Sequence, residues 1–236
     1  MTINIEFMKE TFLIALRGIP TTLKLTFISM LIASPFAFYM AIVKLSKARF
    51  LQKLITLYVS IIRGTPMVLQ ILILYSLLPT LLNLLIKKSN FNINIFDVNP
   101  IIYAYTVFTL NTIAVLSEVF RSALSTVNKG QLEAAYCAGL SSFRAYTRII
   151  IPQALVVALP NICNVTVNLL KGTSLAFLMT VKDITALAKL EAAYGYNYIE
   201  AYIVVFLIYI LICSIIQLVF KIAEKQVGAY RYLTSG

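Results

Sequence analysis

The amino-acid sequence predicts an all-α integral membrane protein with about five transmembrane helices. Of its 236 residues, 60% are hydrophobic and 12% are charged, whereas about 45–50% of the residues in soluble domains are apolar. The chain contains five uncharged stretches, and each approaches the roughly 20 residues that a helix needs to cross a bilayer. Its basic residues gather in alternate connections between these stretches, as they do in multi-pass membrane proteins.

Each predicted helix is built on one uncharged stretch of the sequence. In chain order these stretches are Leu25–Val43, Gly64–Ile86, Val98–Ser117, Ile149–Leu170 and Ala201–Phe220. The helices are predicted at approximately 21–43, 54–86, 98–123, 149–170 and 198–221. The second is the longest, because only Arg63 separates its uncharged stretch from the apolar residues 54–62. The first is long enough to span and follows the acidic Glu6 and Glu10, so we expect no cleavable signal peptide and one transmembrane domain over 1–236.

The charges of the connections predict the orientation. Three connections hold an excess of basic residues: Lys44, Lys47, Arg49 and Lys53; Arg121, Lys129, Arg144 and Arg148; Lys221, Lys225 and Arg231. Only Glu133 and Glu224 oppose them, and the other connections are nearly balanced. Because cytoplasmic loops carry excess Lys and Arg, the N-terminus is predicted outside and the C-terminus in the cytoplasm. This asymmetry explains most of the formal charge of +11 without a nucleic-acid partner.

The composition argues against catalysis or metal binding by this chain. It contains no His and nine acidic residues, which leaves few side chains for a metal site or a pair of catalytic carboxylates. Its three cysteines, Cys137, Cys163 and Cys213, lie far apart, and we interpret them as small core residues rather than a disulfide framework. No catalytic and no metal-binding residue is predicted.

Arg63 is the most unusual charge in the predicted helices. A helix that continues from the cytoplasmic Lys53 would raise Arg63 by about 15 Å, close to mid-membrane. The following Gly64, Thr65 and Pro66 predict a kink that frees backbone groups, and irregular backbone is tolerated at this depth only inside protein or along a wet cavity. One interpretation is a structural kink in which a carboxylate holds Arg63. The other is a substrate site that includes Arg63 and Thr65.

The third predicted helix carries Asn111 and Glu118 on nearly one face, with Arg121 one turn beyond. These residues can form a local Glu118–Arg121 ion pair, or they can contribute to a substrate site. Both interpretations stay open from the sequence.

The fourth predicted helix carries a polar stripe that ends in a cationic residue. Its members are Asn161, Asn164, Asn168 and Lys171, followed by Gly172, Thr173 and Ser174. The asparagines are spaced by three and four residues, so they share a face that should avoid lipid. They either form hydrogen bonds between helices or line a polar pathway. Because the polar groups in the predicted helices are mostly amides or cations, they suit a ligand with a carboxylate.

The connection 128–148 is predicted to protrude from the cytoplasmic face. The residues Gln131–Ala138 favour a short helix, Gly139 favours its end, and Ser141 or Ser142 can cap a second helix. Its sequence resembles the EAA loop of ABC importer permeases: Glu133-Ala134-Ala135, three residues, Gly139, nine residues, and then Ile149-Ile150-Ile151-Pro152. The usual form of that loop has Leu at the position of Ile151.

Further segments resemble the polar amino-acid branch of the same family. They are Gly18 with Thr21, Thr22 and Leu23; Arg63-Gly64-Thr65-Pro66; Asn111 and Ser117-Glu118-Val119-Phe120-Arg121; Gly130-Gln131; Pro152-Gln153-Ala154; and Lys171 with Thr173-Ser174-Leu175. The similarity covers almost the whole chain. Gly172 departs from it, since many relatives carry an acid there.

The resemblance implies a type I ABC importer fold in a bacterial plasma membrane. It implies that Glu133, Ala134, Ala135, Gly139 and Pro152 couple the chain to a separate ATPase, present in two copies. The residues expected to bind substrate are Arg63, Thr65, Asn111, Glu118, Asn164, Asn168, Lys171 and Thr173. ATP and magnesium are expected in the ATPase, since this chain has no P-loop motif.

The further partners implied are an extracytoplasmic substrate-binding protein and a second permease, which is either a second copy or a homologous chain. The transported amino acid stays open among cystine, glutamine, basic and other polar amino acids. An ion-coupled secondary carrier or channel is the alternative function, and a membrane scaffold is a third. The short chain without inverted hydropathy repeats disfavours the carrier.

Overall fold

The computed structural model describes residues 3–88 and 98–233, which are helical with no β-strand in these ranges. The α-helices in chain order are α1 (Ile5–Leu16), α2 (Ile19–Leu45), α3 (Arg49–Gly64), α4 (Met67–Lys88), α5 (Pro100–Thr126), α6 (Lys129–Cys137), α7 (Ser142–Ala145), α8 (Ile151–Gly172), α9 (Ile184–Gly195) and α10 (Tyr198–Leu233). A π-helical turn, Tyr146–Ile150, precedes α8, and a 3-10 helix, Thr173–Met179, follows it.

Five helical segments within these ranges are long and apolar enough to cross a membrane. They are Ile19–Leu45, Met67–Lys88, Pro100–Thr126, Ser142–Met179 and Tyr198–Val227. The all-α membrane fold predicted from the uncharged stretches is therefore confirmed. The fourth segment is longer than the predicted 149–170, because the π-helical turn and the 3-10 helix extend it in both directions.

The predicted second helix, 54–86, is wrong as a single helix. The chain forms α3 and α4, separated at Thr65 and Pro66, and α3 begins earlier than predicted, at Arg49. Thr65 is extended, with φ −116° and ψ 144°, the backbone conformation favoured before proline. Pro66 also lacks the N–H that would continue the helical hydrogen bonds of α3. The break is thus complete, and α4 alone has the length of a membrane span.

Helices α2 and α5 pack side by side in the same direction. At their N-terminal ends, Leu25 belongs to the same buried cluster as Phe108. Towards their C-terminal ends, Ala37 lies in one buried cluster with Leu116, and Lys44 pairs with Glu118. Small residues allow the helices to approach closely. The seam on α2 has four fully buried small residues at intervals of four: Ser29, Ala33, Ala37 and Ala41.

Helix α8 runs opposite to α5. Ala158, in the N-terminal part of α8, shares a buried cluster with Leu116, whereas Leu169, near the C-terminal end of α8, shares one with Phe108. A parallel α2 and α5 and an antiparallel α8 are what successive membrane crossings require of the first, third and fourth spans. The relative directions of these spans therefore agree with the predicted alternation.

Two short helices outside the predicted set, α1 and α9, pack on each other and on α10. Asn4 caps α1 by accepting a hydrogen bond from the Phe7 N–H at 3.0 Å. Asp183, which is fully buried, caps α9 by accepting from the N–H groups of Thr185 (3.1 Å) and Ala186 (2.8 Å). Their hydrophobic stretches are too short to span a membrane, so the long uncharged stretches of the sequence do not predict these two helices.

Gly18, at the turn between α1 and α2, is expected to be indispensable for stability. A Cβ atom here would lie 2.6 Å from the carbonyl carbon of Asp183 and 2.7 Å from Cα of Ile184. Because these are backbone atoms, they cannot move aside without shifting the start of α9. We expect Gly18→Ala to lower the Tm and the yield of the purified protein. Gly64→Ala is the control, since a Cβ there meets no atom within 4 Å. Equal Tm values for the two variants would contradict this expectation.

Candidate functional site

The break between α3 and α4 is held by the side chain of Gln70, which the sequence analysis did not single out. Its Nε2 donates hydrogen bonds to the carbonyl oxygens of Ile62 (2.7 Å) and Thr65 (3.0 Å) and to Thr65 Oγ1 (2.9 Å). In an uninterrupted helix the N–H of residue 66 would bond to Ile62, and Pro66 has none. The Gln70 amide thus replaces the missing donor, and it is buried with 8% of its surface exposed.

Two contacts place this break beside the middle of α5. Asn111 Nδ2 donates to Gln70 Oε1 at 2.9 Å, and the Tyr58 hydroxyl donates to the Leu110 carbonyl at 2.6 Å. Leu110 and Asn111 lie near the midpoint of α5, which is one of the five spans. The structure therefore brings Thr65 and Asn111, both predicted site residues, into one hydrogen-bonded network.

Gln70→Leu is expected to destabilise this network. The substitution keeps a similar volume but leaves the Ile62 carbonyl and the Asn111 amide without the partners that they have here. Buried polar groups without partners cost about 1–3 kcal/mol each. We expect a lower Tm together with reduced transport. Gln217→Leu, at an exposed position on α10, is the matched control and should leave both unchanged. A Gln70→Leu protein as stable as wild type would show that Gln70 does not hold the break.

Arg63 lies on a polar face of α3 that is open in the single chain. The face consists of exposed side chains at helical spacing: Lys53, Thr56, Ser60 and Arg63. An open groove of about 480 Å³ runs along it, lined by Gln52, Lys53, Thr56, Leu57 and Ser60. Within the described part of the chain, Arg63 has no ion-pair partner, so the interpretation in which a carboxylate of this chain holds it finds no support there.

The exposed face of α8 is polar as well. Asn161, Asn164, Asn168 and Lys171 are all exposed. No hydrogen bond joins these asparagines to another helix in residues 3–88 or 98–227, so the interhelical interpretation is not met within the single chain. Facing lipid would leave their amides without partners. This face therefore requires a polar cavity or another subunit.

The end of α8 lies against the break between α3 and α4. A Cβ atom on Gly172 would lie 3.0 Å from the Met67 sulfur, which follows the break directly. The contact places Gly172 beside Met67, two residues after Thr65. Thr173 differs from the prediction that it faces substrate, because it is fully buried and its hydroxyl donates to the Leu170 carbonyl at 2.6 Å.

Glu118 forms a charge cluster between α2 and α5. Its Oε1 pairs with Lys44, and its Oε2 accepts a hydrogen bond from Arg121 Nε at 2.9 Å. The ion pair with Arg121 is one of the two interpretations that the sequence leaves open. Lys44 lies 74 residues from Glu118 along the chain, so no local spacing predicts their contact. Both carboxylate oxygens are engaged, so Glu118 supports the packing of two helices and is not free for a ligand in this arrangement.

The connection between α5 and α8 presents an exposed helix. Asn128 caps α6 by accepting from the Gly130 N–H at 2.9 Å. Glu133 and Ala134 are exposed, whereas Ala135 is buried against the protein. Gly139 ends the helix with φ +77°, and the Leu140 N–H donates to the Ala135 carbonyl at 3.0 Å, which is a Schellman arrangement. Pro152 lies in the first turn of α8.

Aromatic residues on this connection were missed at the sequence level. Tyr136, Phe143 and Tyr146 expose 45%, 78% and 40% of their surfaces. Exposed aromatic residues beside small residues favour protein docking. The sequence places three aromatic residues within eleven positions of a charged loop, but their exposure depends on how α6 and α7 fold.

Comparison with known proteins reveals similarity over nearly the whole chain. Residues 33–228 match the family described as binding-protein-dependent transport system inner membrane component. The chain is 33% identical to the probable amino-acid ABC transporter permease protein YckA of Bacillus subtilis, covering 96% of this chain and 95% of YckA.

It is also 34% identical to the histidine/lysine/arginine/ornithine transport system permease protein HisM of Escherichia coli, covering 89% of this chain and 87% of HisM. A crystal structure of an amino acid ABC transporter with histidines contains a chain with the same fold. Its TM-score is 0.78 at 26% identity, with 96% of this chain and 100% of that chain covered.

Proposed function

The chain belongs to the family of binding-protein-dependent transport system inner membrane components, and on this premise we propose that it is the permease subunit of an ATP-driven importer for a polar amino acid. The observation that carries the proposal is the pairing of two features in one bundle. The connection between α5 and α8 presents the helix α6, on which Glu133 and Ala134 are exposed. The break between α3 and α4 lies beside the middle of α5, and the end of α8, which has an exposed polar face, approaches Met67 directly after that break.

The α6 surface is the proposed docking site for a separate ATPase. The exposed Glu133 and Ala134 offer a polar anchor next to a small side chain, and the exposed aromatic residues beside them can pack into a cleft. Two ATPase copies bind ATP and magnesium, and their closure moves α6 and the helices joined to it. This chain contributes no nucleotide-binding residue and acts as a transport component.

The open polar faces support a second permease, either another copy or a homologous chain. In one chain the asparagines of α8 and Arg63 of α3 are exposed, although α8 belongs to a span and α3 ends beside the middle of α5. A second permease closes these faces into a polar pathway in the lipid bilayer. An extracytoplasmic binding protein delivers the amino acid, whose carboxylate Arg63 receives at the break. Thr65 and Asn111 orient the backbone there.

Transport in proteoliposomes distinguishes this function from an ion-coupled carrier, a channel or a scaffold. We expect the chain to copurify with an ATPase, and uptake of a polar amino acid to require ATP on the ATPase side. Uptake driven by an ion gradient without ATP would favour a carrier. Association with an ATPase without any transport would favour a scaffold.

Cysteine labelling tests the proposed orientation, with the N-terminus outside and the C-terminus in the cytoplasm of a bacterial plasma membrane. The exposed native Cys137 lies on α6, whereas Cys163 and Cys213 are buried. A membrane-impermeant maleimide should therefore leave intact cells expressing the native chain unlabelled. In a Cys137→Ser background, Tyr194→Cys on α9, where the side chain is 87% exposed, should be labelled. The reverse pattern would invert the topology.

A further inference from the structure

Asp183 is a carboxylate in the interior of the bundle for which the proposed transport function has no role. It is fully buried, on the connection between the fourth and fifth spans. The turn at Gly18, where α2 begins, packs directly against its backbone, and the Tyr209 hydroxyl on α10 donates to its Oδ2 at 3.4 Å. Because Asp183 also caps α9, it lies where α2, α9 and α10 meet.

No cation neutralises Asp183 in the described part of the chain, where both ion pairs belong to Glu118. The charged residues closest to it along the neighbouring elements are Arg17, Lys24, Lys171, Lys182, Lys189 and Glu191. The first four are exposed, and Lys189 lies over the Phe177 ring. On α10 the titratable group that contacts it is the Tyr209 phenol, since the nearest charged residues of that helix are more than two turns away. An unpaired carboxylate in an apolar interior generally binds a proton instead of staying charged.

Hydroxyl groups from four elements gather next to Asp183. Those of Thr22 on α2, Thr173 in the 3-10 helix and Thr185 on α9 lie beside the Tyr209 hydroxyl. The Thr22 and Thr185 oxygens are buried and form no hydrogen bond of ordinary geometry within the described residues. A hydroxyl donates or accepts according to its rotation about the C–O bond. This cluster can therefore donate to an ionised Asp183 and accept a hydrogen bond from a protonated one.

We propose that Asp183 is a proton-binding site of the folded chain, and that the proton it takes up as the pH falls below neutral stabilises the junction of α2, α9 and α10. The buried carboxyl binds the proton, and the hydroxyl cluster around Tyr209 receives its hydrogen bond. The inference does not depend on the import function, because it concerns how the helices are held together.

The direction of the pH effect follows from burial. Burial raises the pKa of Asp183 from its ordinary value of 3.8 to about 6, although hydrogen bonds from Ala186, Thr185 and Tyr209 oppose this rise. In the unfolded chain the carboxyl is exposed to water and keeps its ordinary pKa. Between the two values the folded chain therefore holds a proton that unfolding releases, so stability increases as the pH falls through this range.

Infrared difference spectroscopy detects this proton directly, because a protonated carboxyl and a carboxylate have separate stretching bands. The full chain in nanodiscs is compared between about pH 8 and about pH 5, where exposed carboxyls stay mostly ionised. We expect a protonated-carboxyl band at the lower pH that is missing in Asp183→Asn, a substitution that keeps a good helix cap. Glu10→Gln, which removes an exposed carboxylate on α1, should retain the band. Absence of the band in the native chain, or its presence in Asp183→Asn, overturns the proposal.

Tyr209→Phe gives a second measurement that does not alter the carboxyl itself. It removes the hydroxyl that donates to Asp183, and this hydrogen bond favours the charged form. We expect the midpoint pH of the same infrared band to rise. An unchanged midpoint would assign the band to another carboxyl and overturn the proposal.

Thermal unfolding tests the consequence for stability. As the pH falls from about 8 to about 5, we expect the Tm of the native chain to rise by at least about 2 °C relative to that of Asp183→Asn, which is neutral at both values. Glu10→Gln should follow the native chain. The same pH dependence in the native chain and in Asp183→Asn would contradict a stabilising proton at this position.

Discussion

Replacing Gly139 with Val is expected to reduce uptake at least about tenfold while leaving the membrane bundle folded. Gly139 holds φ +77° at the end of α6, a conformation that costs a β-branched residue roughly 1–2 kcal/mol or more. A Cβ there meets no atom within 4 Å, so the effect is conformational and local. The turn that sets the direction of α7 relative to α6 should change, and with it the surface offered to the ATPase. Uptake and ATPase copurification measure the effect.

Gly139→Asn is the matched control, because Asn adopts positive φ more readily than other residues with side chains. It should retain most of the uptake that Gly139→Val loses. Glu133→Lys tests the same surface through charge, since Glu133 is exposed and reversal leaves the α6 backbone intact. We expect it to weaken ATPase association. Wild-type uptake in both Gly139→Val and Glu133→Lys would exclude this helix from coupling.

Replacing Arg63 with Lys is expected to lower transport at least about tenfold without loss of the ATPase. A guanidinium can bind a carboxylate through two parallel hydrogen bonds, and an ammonium cannot reproduce that geometry. Arg63 is exposed and has no ion-pair partner in the described residues, so the substitution removes no bond within the chain. The loss should appear as a raised apparent KM. Arg49→Lys, the same change at the start of α3, should transport normally.

A double substitution separates ligand binding from a structural role of Arg63. If Arg63 served Glu118, neutralising both residues would restore the uptake lost when either is neutralised. In the structure Glu118 is held by Lys44 and Arg121 instead. We therefore expect Arg63→Gln combined with Glu118→Gln to show no rescue. Recovery of uptake in the double variant would make Arg63 a structural residue.

The spans could be predicted from sequence because crossing a bilayer demands long uncharged stretches, which are a local property of the chain. The complete break at Thr65 and Pro66 was anticipated only as a kink. Its extent depends on Gln70, whose amide supplies the donor that Pro66 lacks. Sequence alone does not reveal that partner, because a Gln in an apolar helix has many possible roles until the helix folds back.

The candidate site was predictable in its residue types but not in its contacts. The stripe from Asn161 to Lys171 follows from helical spacing, and its exposure agrees with the polar face inferred from that spacing. The pairing of Lys44 with Glu118 depends on α2 and α5 packing side by side, which no local pattern encodes. In the sequence Thr173 is as polar as its neighbours on this stripe. In the structure it lies on the buried side at the end of α8 and is fully buried.

The buried seam of Ser29, Ala33, Ala37 and Ala41 has a mechanical consequence. Helices this close have no room to slide or rotate against each other, because interlocked side chains resist shear. The α2–α5 pair should therefore move as one rigid body during a transport cycle. Bending is then expected where regular α-helix is interrupted, as it is between α3 and α4 at Thr65 and Pro66 and in the 3-10 helix after Gly172. Cross-linking α2 to α5 should leave the rate of transport unchanged. A cross-link from α3 to α4, or across the 3-10 helix after Gly172, should stop transport.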